Sequence, residues 1–352
     1  MLSKSFTLLL LACFAAIAFS DLTCLDRQGN PKVWTVSYQF PGNVTNDTLR
    51  YAYLDDNLGP SFKIIPDKNA DDKGEALANT IDAINNFQGE NKSLMIFTNV
   101  PPDGNITSTG AHAKVILAFD NATQTGIYIL HTFLSYPDFT SDGIINATAD
   151  RSSNEYAQYN GVFGNYVYCM SINAEILDKL HSTIPLEEPN VIYASGIFND
   201  PDPPIDANYT FTEFDLANQD HIVLLTKSPK FNAKFYEEVV VPHFNVSLAA
   251  ESFGRPYQDP TCGEYDVVNV DEITFDAKNT WKIWADNAKW AITIGNSRPH
   301  LMCLSDFDRT DDQMERGGSA FCTNNVALWQ AFTDIITAVD KCPSRRFRKI
   351  AM

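Results

Sequence analysis

No uninterrupted apolar stretch in the 352 residues reaches the length of about 18 that a membrane-crossing helix needs. The one early apolar run, Leu8 to Ala18, is shorter. It follows Lys4 and leads into Ala18-Phe19-Ser20, the small-residue spacing of a cleavage site. Residues 1–20 therefore read as a signal peptide, and the mature chain, 21–352, is expected to be soluble and to enter the secretory pathway. Cysteine pairs spaced C-x-x-C are absent, which leaves zinc-ribbon and thioredoxin-like readings without support. G-x-S-x-G, H-E-x-x-H, a P-loop and a dinucleotide fingerprint are absent as well, so the chain carries no signature of a serine hydrolase, zinc peptidase, nucleotidase or dehydrogenase. No metal and no cofactor are expected. Positive charge is scarce: 26 Lys and Arg stand against 44 Asp and Glu, a formal charge of −18 that becomes −19 once Lys4 leaves with the signal. Such a field repels a polyanion at neutral pH unless a local basic groove overrides it. An acidic compartment weakens the objection by protonating carboxylates. The basic tail Arg345-Arg346-Phe347-Arg348-Lys349 reads as a solvated terminus, and no low-complexity tract or long linker interrupts the chain.

Without Cys13, six cysteines remain: Cys24, Cys169, Cys262, Cys303, Cys322 and Cys342. In an oxidising compartment an even count reads as three disulfides, with fifteen pairings open. Eight Asn-x-Ser/Thr acceptors agree with secretion, at Asn43, Asn46, Asn91, Asn105, Asn121, Asn146, Asn208 and Asn245. Runs rich in β-branched and aromatic residues predict strands over 33–40, 94–97, 114–119, 127–131, 166–170, 221–225 and 238–241. Helical spacing joins Leu77, Ile81 and Ile84, and again Ile176, Leu177, Leu180 and Ile184. A third helix is predicted through Leu328, Trp329, Phe332, Ile335, Ile336 and Val339, capped by Asn324 or Asn325. The Pro-rich stretch Pro201 to Pro204 predicts a loop. Strands and helices mix throughout, so the class is α/β or α+β.

One internal repeat carries chemistry. His112-Ala113-Lys114-Val115-Ile116-Leu117-Ala118-Phe119-Asp120-Asn121 can be laid over Asn287-Ala288-Lys289-Trp290-Ala291-Ile292-Thr293-Ile294-Gly295-Asn296, at an offset of 175 residues (287 − 112). On a strand, residues two apart share a face, so His112 with Lys114, and Asn287 with Lys289, point together. A lysine offers a fixed cation to phosphate oxygens, and an imidazole can attack phosphorus or shuttle a proton. Two such pairs meeting across a pseudo-twofold axis would hold one phosphodiester without a metal. An ordinary surface pair is the bland reading of one His-x-Lys by itself.

The surrounding blocks extend the repeat. Phe97-Thr98-Asn99-Val100-Pro101-Pro102, Gly110-Ala111-His112-Ala113-Lys114 and Ile127-Tyr128-Ile129-Leu130-His131 resemble the first active-site region of the deoxyribonuclease II family. Cys24 to Pro41, with Trp34 and Tyr38, is similar to that family's mature N-terminus, and Tyr168-Cys169-Met170-Ser171 to its mid-chain cysteine strand. Asp286-Asn287-Ala288-Lys289-Trp290, Cys303, Arg316-Gly317-Gly318, Cys322 and Ala327-Leu328-Trp329-Gln330-Ala331-Phe332 resemble its C-terminal block. The resemblance implies a phospholipase-D-like pseudodimer: two similar α/β halves, about 21–185 and 205–352, each a sheet flanked by helices, with the site between them. It implies metal-independent endonucleolytic hydrolysis of DNA at acidic pH to 3′-phosphates, in a lysosomal or extracellular setting. It implies the disulfides Cys24–Cys169, Cys262–Cys342 and Cys303–Cys322. Carried over residue by residue, His112, Lys114 and Lys289 are catalytic and His131 supports them.

The departure is Asn287, which stands where the family has its second histidine. Asparagine can hold a hydrogen bond but cannot titrate or accept a phosphoryl group. None of His181, His221, His243 and His300 is followed two residues later by lysine, and a capping or surface role is the expectation for His300. Three functions follow: an acid endonuclease weakened at Asn287, a silent relative that binds nucleic acid through Lys114 and Lys289, or a secreted interaction protein with a relic site. Arg316, beside Gly317 and Gly318, is a candidate substrate-binding residue, with a plain tight turn as its alternative. Asp71-Asp72 and Asp311-Asp312 read as solvated loops. The oligomeric state is left open.

Overall fold

A computed structural model describes residues 21–42, 50–87, 91–149, 157–200, 202–254 and 256–342. The expected signal segment, the Asn-x-Ser/Thr asparagines Asn43 and Asn46, Pro201 and the basic tail lie outside the described residues. Two large sheets form most of the fold. The first has eight strands, all paired antiparallel, in the spatial order Val191–Ser195, Lys92–Thr98, Lys114–Asp120, Thr125–His131, Asn165–Asn173, Trp34–Gln39, Arg50–Asp55 and Lys63–Pro66. The second runs Tyr209–Asp215, His221–Lys227, Gly318–Thr323, Met302–Ser305, Trp290–Thr293, Leu248–Glu251, Val267–Asp276 and Asn279–Lys282, with Ile336–Val339 added along Val267–Asp276. Among the described residues, its one parallel pairing of strands joins Leu248–Glu251 to Val267–Asp276.

Alternation along the strands divides the apolar residues between two faces. Val115, Leu117 and Phe119 enter the main core, while Ile116 and Ala118 enter a second core outside the first sheet. In the second sheet Trp290 and Ile292 enter the main core and Ala291 a third one. The main core thus lies between the sheets, as in a face-to-face packing. The helices close its ends and cover the outer faces. Ala76–Asn86 seals the outer face of the first sheet through Leu77, Ile81 and Ile84. Ala174–His181, capped by the Asn173 side chain on the Ile176 N–H, and Val326–Ile335 both pack into the main core. The fold is mixed α+β, with few helices against two dominant sheets.

Three disulfides are formed, Cys24–Cys169, Cys262–Cys342 and Cys303–Cys322, the set implied by the family resemblance. Three expectations are corrected. Asp71, read as solvated, is buried, its Oδ2 accepting the Ala149 N–H at 2.7 Å. Residues 238–241 are helical, within Tyr236–Val240 and Val241–Phe244. The valine run suggested a strand, but the buried residues Phe235, Tyr236, Val239 and Val240 repeat at helical spacing and cover the second sheet. The last helix stops at Ile335, and Ile336 and Val339 belong to a strand paired with Val267–Asp276. β-branched residues favour that extension, and the Cys262–Cys342 bridge ties the following chain back to the sheet. Asn325, not Asn324, caps the helix, its side chain accepting the Leu328 N–H.

Candidate active site

The two x-Ala-Lys segments enter corresponding strands of the two sheets and meet at the seam between them. Their backbones exchange hydrogen bonds in a pattern that repeats at the offset of the sequence repeat. Gly317 N–H donates to the Gly110 carbonyl and His112 N–H to the Gly317 carbonyl, at 3.0 and 2.8 Å. Likewise, Gly164 N–H donates to the Ala285 carbonyl and Asn287 N–H to the Gly164 carbonyl, both at 2.8 Å. Each segment is thereby held by the opposite half of the chain. Close approach is needed here: a Cβ on Gly317 would lie 2.1 Å from the Glu187 carbonyl, and one on Gly110, at φ +68°, would lie 2.3 Å from that of Glu188.

The side chains repeat the exchange. His112 Nδ1 lies 2.9 Å from the carbonyl oxygen of Asp306, the residue after the Met302–Ser305 strand. A carbonyl can only accept, so Nδ1 carries the hydrogen and Nε2 keeps its lone pair. Asn287 makes the corresponding bond to the first half, Nδ2 donating to the carbonyl of Thr132, the residue after the Thr125–His131 strand, at 2.6 Å. Its Nδ2 also reaches Asn165 Oδ1 at 3.2 Å. Asparagine therefore keeps the positioning bond that an imidazole Nδ1 would make, and offers no second nitrogen beyond it.

Both lysines are buried, each 2 % exposed. Lys114 Nζ donates to Asn99 Oδ1 at 2.8 Å. Lys289 Nζ donates to the Asn287 backbone carbonyl and Oδ1, at 3.0 and 3.1 Å, and lies 3.6 Å from Asp308 Oδ1. Asp308 Oδ2 lies 4.0 Å from His112 Nδ1. The second carboxylate, Asp306, accepts the Ser319 N–H at 3.0 Å. Burial, followed by the charges of Lys114, Lys289 and Arg316, holds the His112 imidazole well below its usual 6.5. Burial and Lys289 bring Lys114 down to about 7. Burial also lifts Asp308 to about 6 and raises Asp306, while the two lysines pull both carboxyls back toward ionisation. The result is an imidazole biased toward its neutral form, among cations and beside two carboxyls that hold their protons more tightly than free ones.

The remaining candidates take distinct places. His131 is buried edge-on against Tyr136, ring centroids 5.1 Å apart, and neither ring nitrogen makes a hydrogen bond of normal geometry. Burial, then the nearby Lys114 charge, keep it neutral. Arg316 donates from Nε to the Gly110 carbonyl at 2.9 Å and from Nη2 to the Ala111 carbonyl at 2.7 Å, so two of its donors hold the loop that delivers His112. The Gly317 N–H is likewise engaged with Gly110 and does not face a ligand. His300 stacks on Trp329, 3.8 Å between centroids, at the far end of the hairpin from Asn287. Asp306, Asp308, Asn99, Thr132 and Asn165 were not singled out by the sequence. Next to the seam, where the Phe253 N–H meets Asp308, a cavity of about 500 Å³ is lined by Phe253, Gly254, Tyr257 and Trp284. The six described glycosylation acceptors lie at the surface, five exposed and Asn121 partly so.

Similarity to known proteins extends over nearly the whole chain. The family model for deoxyribonuclease II matches residues 23–342. The chain is 23 % identical to plancitoxin-1 of Acanthaster planci, covering 96 % of this chain and 98 % of that protein. It is 21 % identical to deoxyribonuclease-2-beta of Homo sapiens, at 97 % and 98 % coverage. It is 23 % identical to deoxyribonuclease-2 of Caenorhabditis elegans, at 96 % and 98 % coverage.

Proposed function

The chain belongs to the deoxyribonuclease II family, and from that premise we propose that it is a metal-independent acid endonuclease on DNA, working with one histidine and slowed by Asn287. The observation that carries this reading is the hydrogen bond from His112 Nδ1–H to the Asp306 carbonyl, which leaves Nε2 free as the nucleophile. Nε2 attacks phosphorus and displaces the 5′ oxygen, and water then releases a 3′-phosphate from the phosphohistidine. Lys114 and Lys289 neutralise the phosphate oxygens in a buried setting, where each charge acts strongly. Acidic conditions favour the reaction for two reasons. The low proton affinity of His112 keeps it nucleophilic, and protonation of Asp306 and Asp308 leaves the lysine charges uncompensated. Secretion or lysosomal delivery, with glycans on the Asn-x-Ser/Thr acceptors, fits the signal-like N-terminus and the acid chemistry.

A second reading, a silent relative that binds DNA, is favoured by one fact: Asn287 cannot give or take a proton. Plasmid cleavage at pH 5 in EDTA separates the two. The nuclease reading expects measurable cleavage by the parent, loss on the order of 10⁴-fold or more in His112→Ala, and a gain in Asn287→His. A parent and Asn287→His that are both inert, while DNA still binds, support the silent relative.

A further inference from the structure

With Asn287 in place the site is one proton carrier short, and a buried acid stands next to the gap. Asp308 follows the Met302–Ser305 strand and is fixed by the Phe253 N–H, which donates to Oδ1 at 2.9 Å. Its carboxyl lies 3.6 Å from Lys289 Nζ and 4.0 Å from His112 Nδ1. Asn287 Oδ1 accepts from the same Lys289 ammonium at 3.1 Å, so the acid and the asparagine are neighbours on one cation. The place two residues beyond Thr132 in the first half, equivalent to Asp308 two beyond Asp306, holds Leu134. The acid is therefore a feature of the half that lacks the histidine. Within the cluster, His112 and Asp308 also open furthest to solvent, with 14 % and 9 % of their side chains exposed against 2 % for Lys289. Both groups are therefore reachable from solvent.

We propose that Asp308 is the proton carrier of this site, doing what residue 287 cannot. The inference rests on the nuclease reading above. In the first step His112 Nε2 forms a bond to phosphorus, the bond from phosphorus to the 5′ oxygen breaks, and the Asp308 carboxyl proton passes to that oxygen. In the second step the Asp308 carboxylate takes a proton from water as the water oxygen attacks phosphorus, the bond to Nε2 breaks, and a 3′-phosphate leaves. Asp308 ends protonated and His112 neutral, and no further reactant is needed. The groups facing Asp308 suit a proton donor that works in acid. Burial is the main influence raising its proton affinity to about 6, and Asp312 adds to it, while Lys289, Lys114 and the Phe253 N–H oppose. Glu251, itself held protonated by burial and the nearby Asp286 and Asp308, lies close by, as does Tyr236.

The test compares the full-length parent with Asp308→Asn, Asn287→His and the double variant, by plasmid cleavage in EDTA from pH 4 to 7.5, with thermal melts to verify folding. The amide in Asp308→Asn keeps the shape of the carboxyl and an oxygen for the Phe253 N–H. This variant is expected to lose on the order of 10²–10⁴-fold in rate. The parental fall in rate through pH 6 should flatten in its residual activity, leaving the shallower dependence due to Asp306, and the double variant should regain cleavage because the restored imidazole carries the proton. Parental rate and pH profile in Asp308→Asn overturn the proposal. So does a double variant as poor as Asp308→Asn while Asn287→His alone is active. A parental rate that is unchanged from pH 5 to 7.5 also overturns it, independently of whether the variants fold. A parent that cuts, with Asp308→Asn unaffected, defeats the role of Asp308 alone and leaves the nuclease reading standing. An inert parent defeats the nuclease reading as well, and an active Asn287→His beside it would mark a scaffold silenced at residue 287.

Discussion

At position 287 a single residue separates two properties that an imidazole combines. The donor that locates the side chain survives, as the 2.6 Å bond from Asn287 Nδ2 to the Thr132 carbonyl. The nitrogen that would face the substrate does not. On the proposed nuclease reading, the asymmetry leaves the nucleophile's part to His112, whose bond to the Asp306 carbonyl is the counterpart in the other half. The lysines then divide from the histidine in role, and the division can be measured. In a His112→Ala background, where DNA is bound and not cut, Lys289→Met is expected to weaken binding at pH 5 and to lower the slope of log affinity against log salt by about 1. Lys230→Met, at an exposed pair with Glu188, should leave that slope unchanged. Fluorescence anisotropy with a short duplex, read over a salt series, checks both.

At the scale of elements, the site depends on a seam in which each half holds the other's catalytic loop. The Gly110 and Gly317 backbones approach so closely that a methyl group at either meets a carbonyl of Glu187 or Glu188. Gly317→Ala is therefore expected to destabilise the protein by about 1–3 kcal/mol and to lower activity more than a surface substitution of equal stability cost, because the His112 N–H is bonded to the same residue. Calorimetry alongside the plasmid assay tests this. The seam also marks how far the sequence could be read. The His-x-Lys and Asn-x-Lys pairs were legible because their chemistry is contiguous and repeats at a fixed offset. So were the strands over 114–119 and 221–225, which the structure forms as Lys114–Asp120 and His221–Lys227 around the apolar runs 115–119 and 222–225. Asp306 and Asp308 were not, since they reach His112 from 194 and 196 positions away (306 − 112 and 308 − 112), and two more acids carry no signal in a chain with 44. The one local hint was Asp306-Phe307-Asp308, polar-apolar-polar just past a buried strand. The helix at 236–244 was missed for a related reason: valines read as strand formers, and only the sheet beneath them reveals which spacing is buried.

At the scale of the whole molecule, the buried acids tie stability to pH in the same direction as the chemistry. Glu187, bonded to Ser319 Oγ and close to Asp306, is raised by burial; Glu251 is raised well above the carboxylate range, and Asp308 to about 6. A carboxyl that holds its proton more tightly when folded contributes fully below its unfolded value near 4, and that contribution is lost as pH rises through the folded value. His112 and His131, lowered by burial, act oppositely below about 6.5. Lys114, brought down to about 7, opposes in the same way, but with Asp306, also raised, four carboxyls outnumber these three groups, and the excess of acids over bases adds self-repulsion as pH rises. The melting temperature is therefore expected to be higher at pH 5 than at pH 7.5, which differential scanning fluorimetry at fixed ionic strength checks. A higher value at pH 7.5 would mean that the buried carboxyls are ionised and paired.

If His112 takes the phosphoryl group from DNA, the adduct can be caught. A reaction at pH 5 in EDTA, stopped within milliseconds to seconds in alkali, where phosphohistidine survives, would be digested and its peptides weighed. The expected product is a peptide containing His112 that carries a phosphoryl-linked nucleotide on its 3′ side, absent from His112→Ala. Cleavage that proceeds with no such adduct, or an adduct on any other residue, would contradict that role of His112.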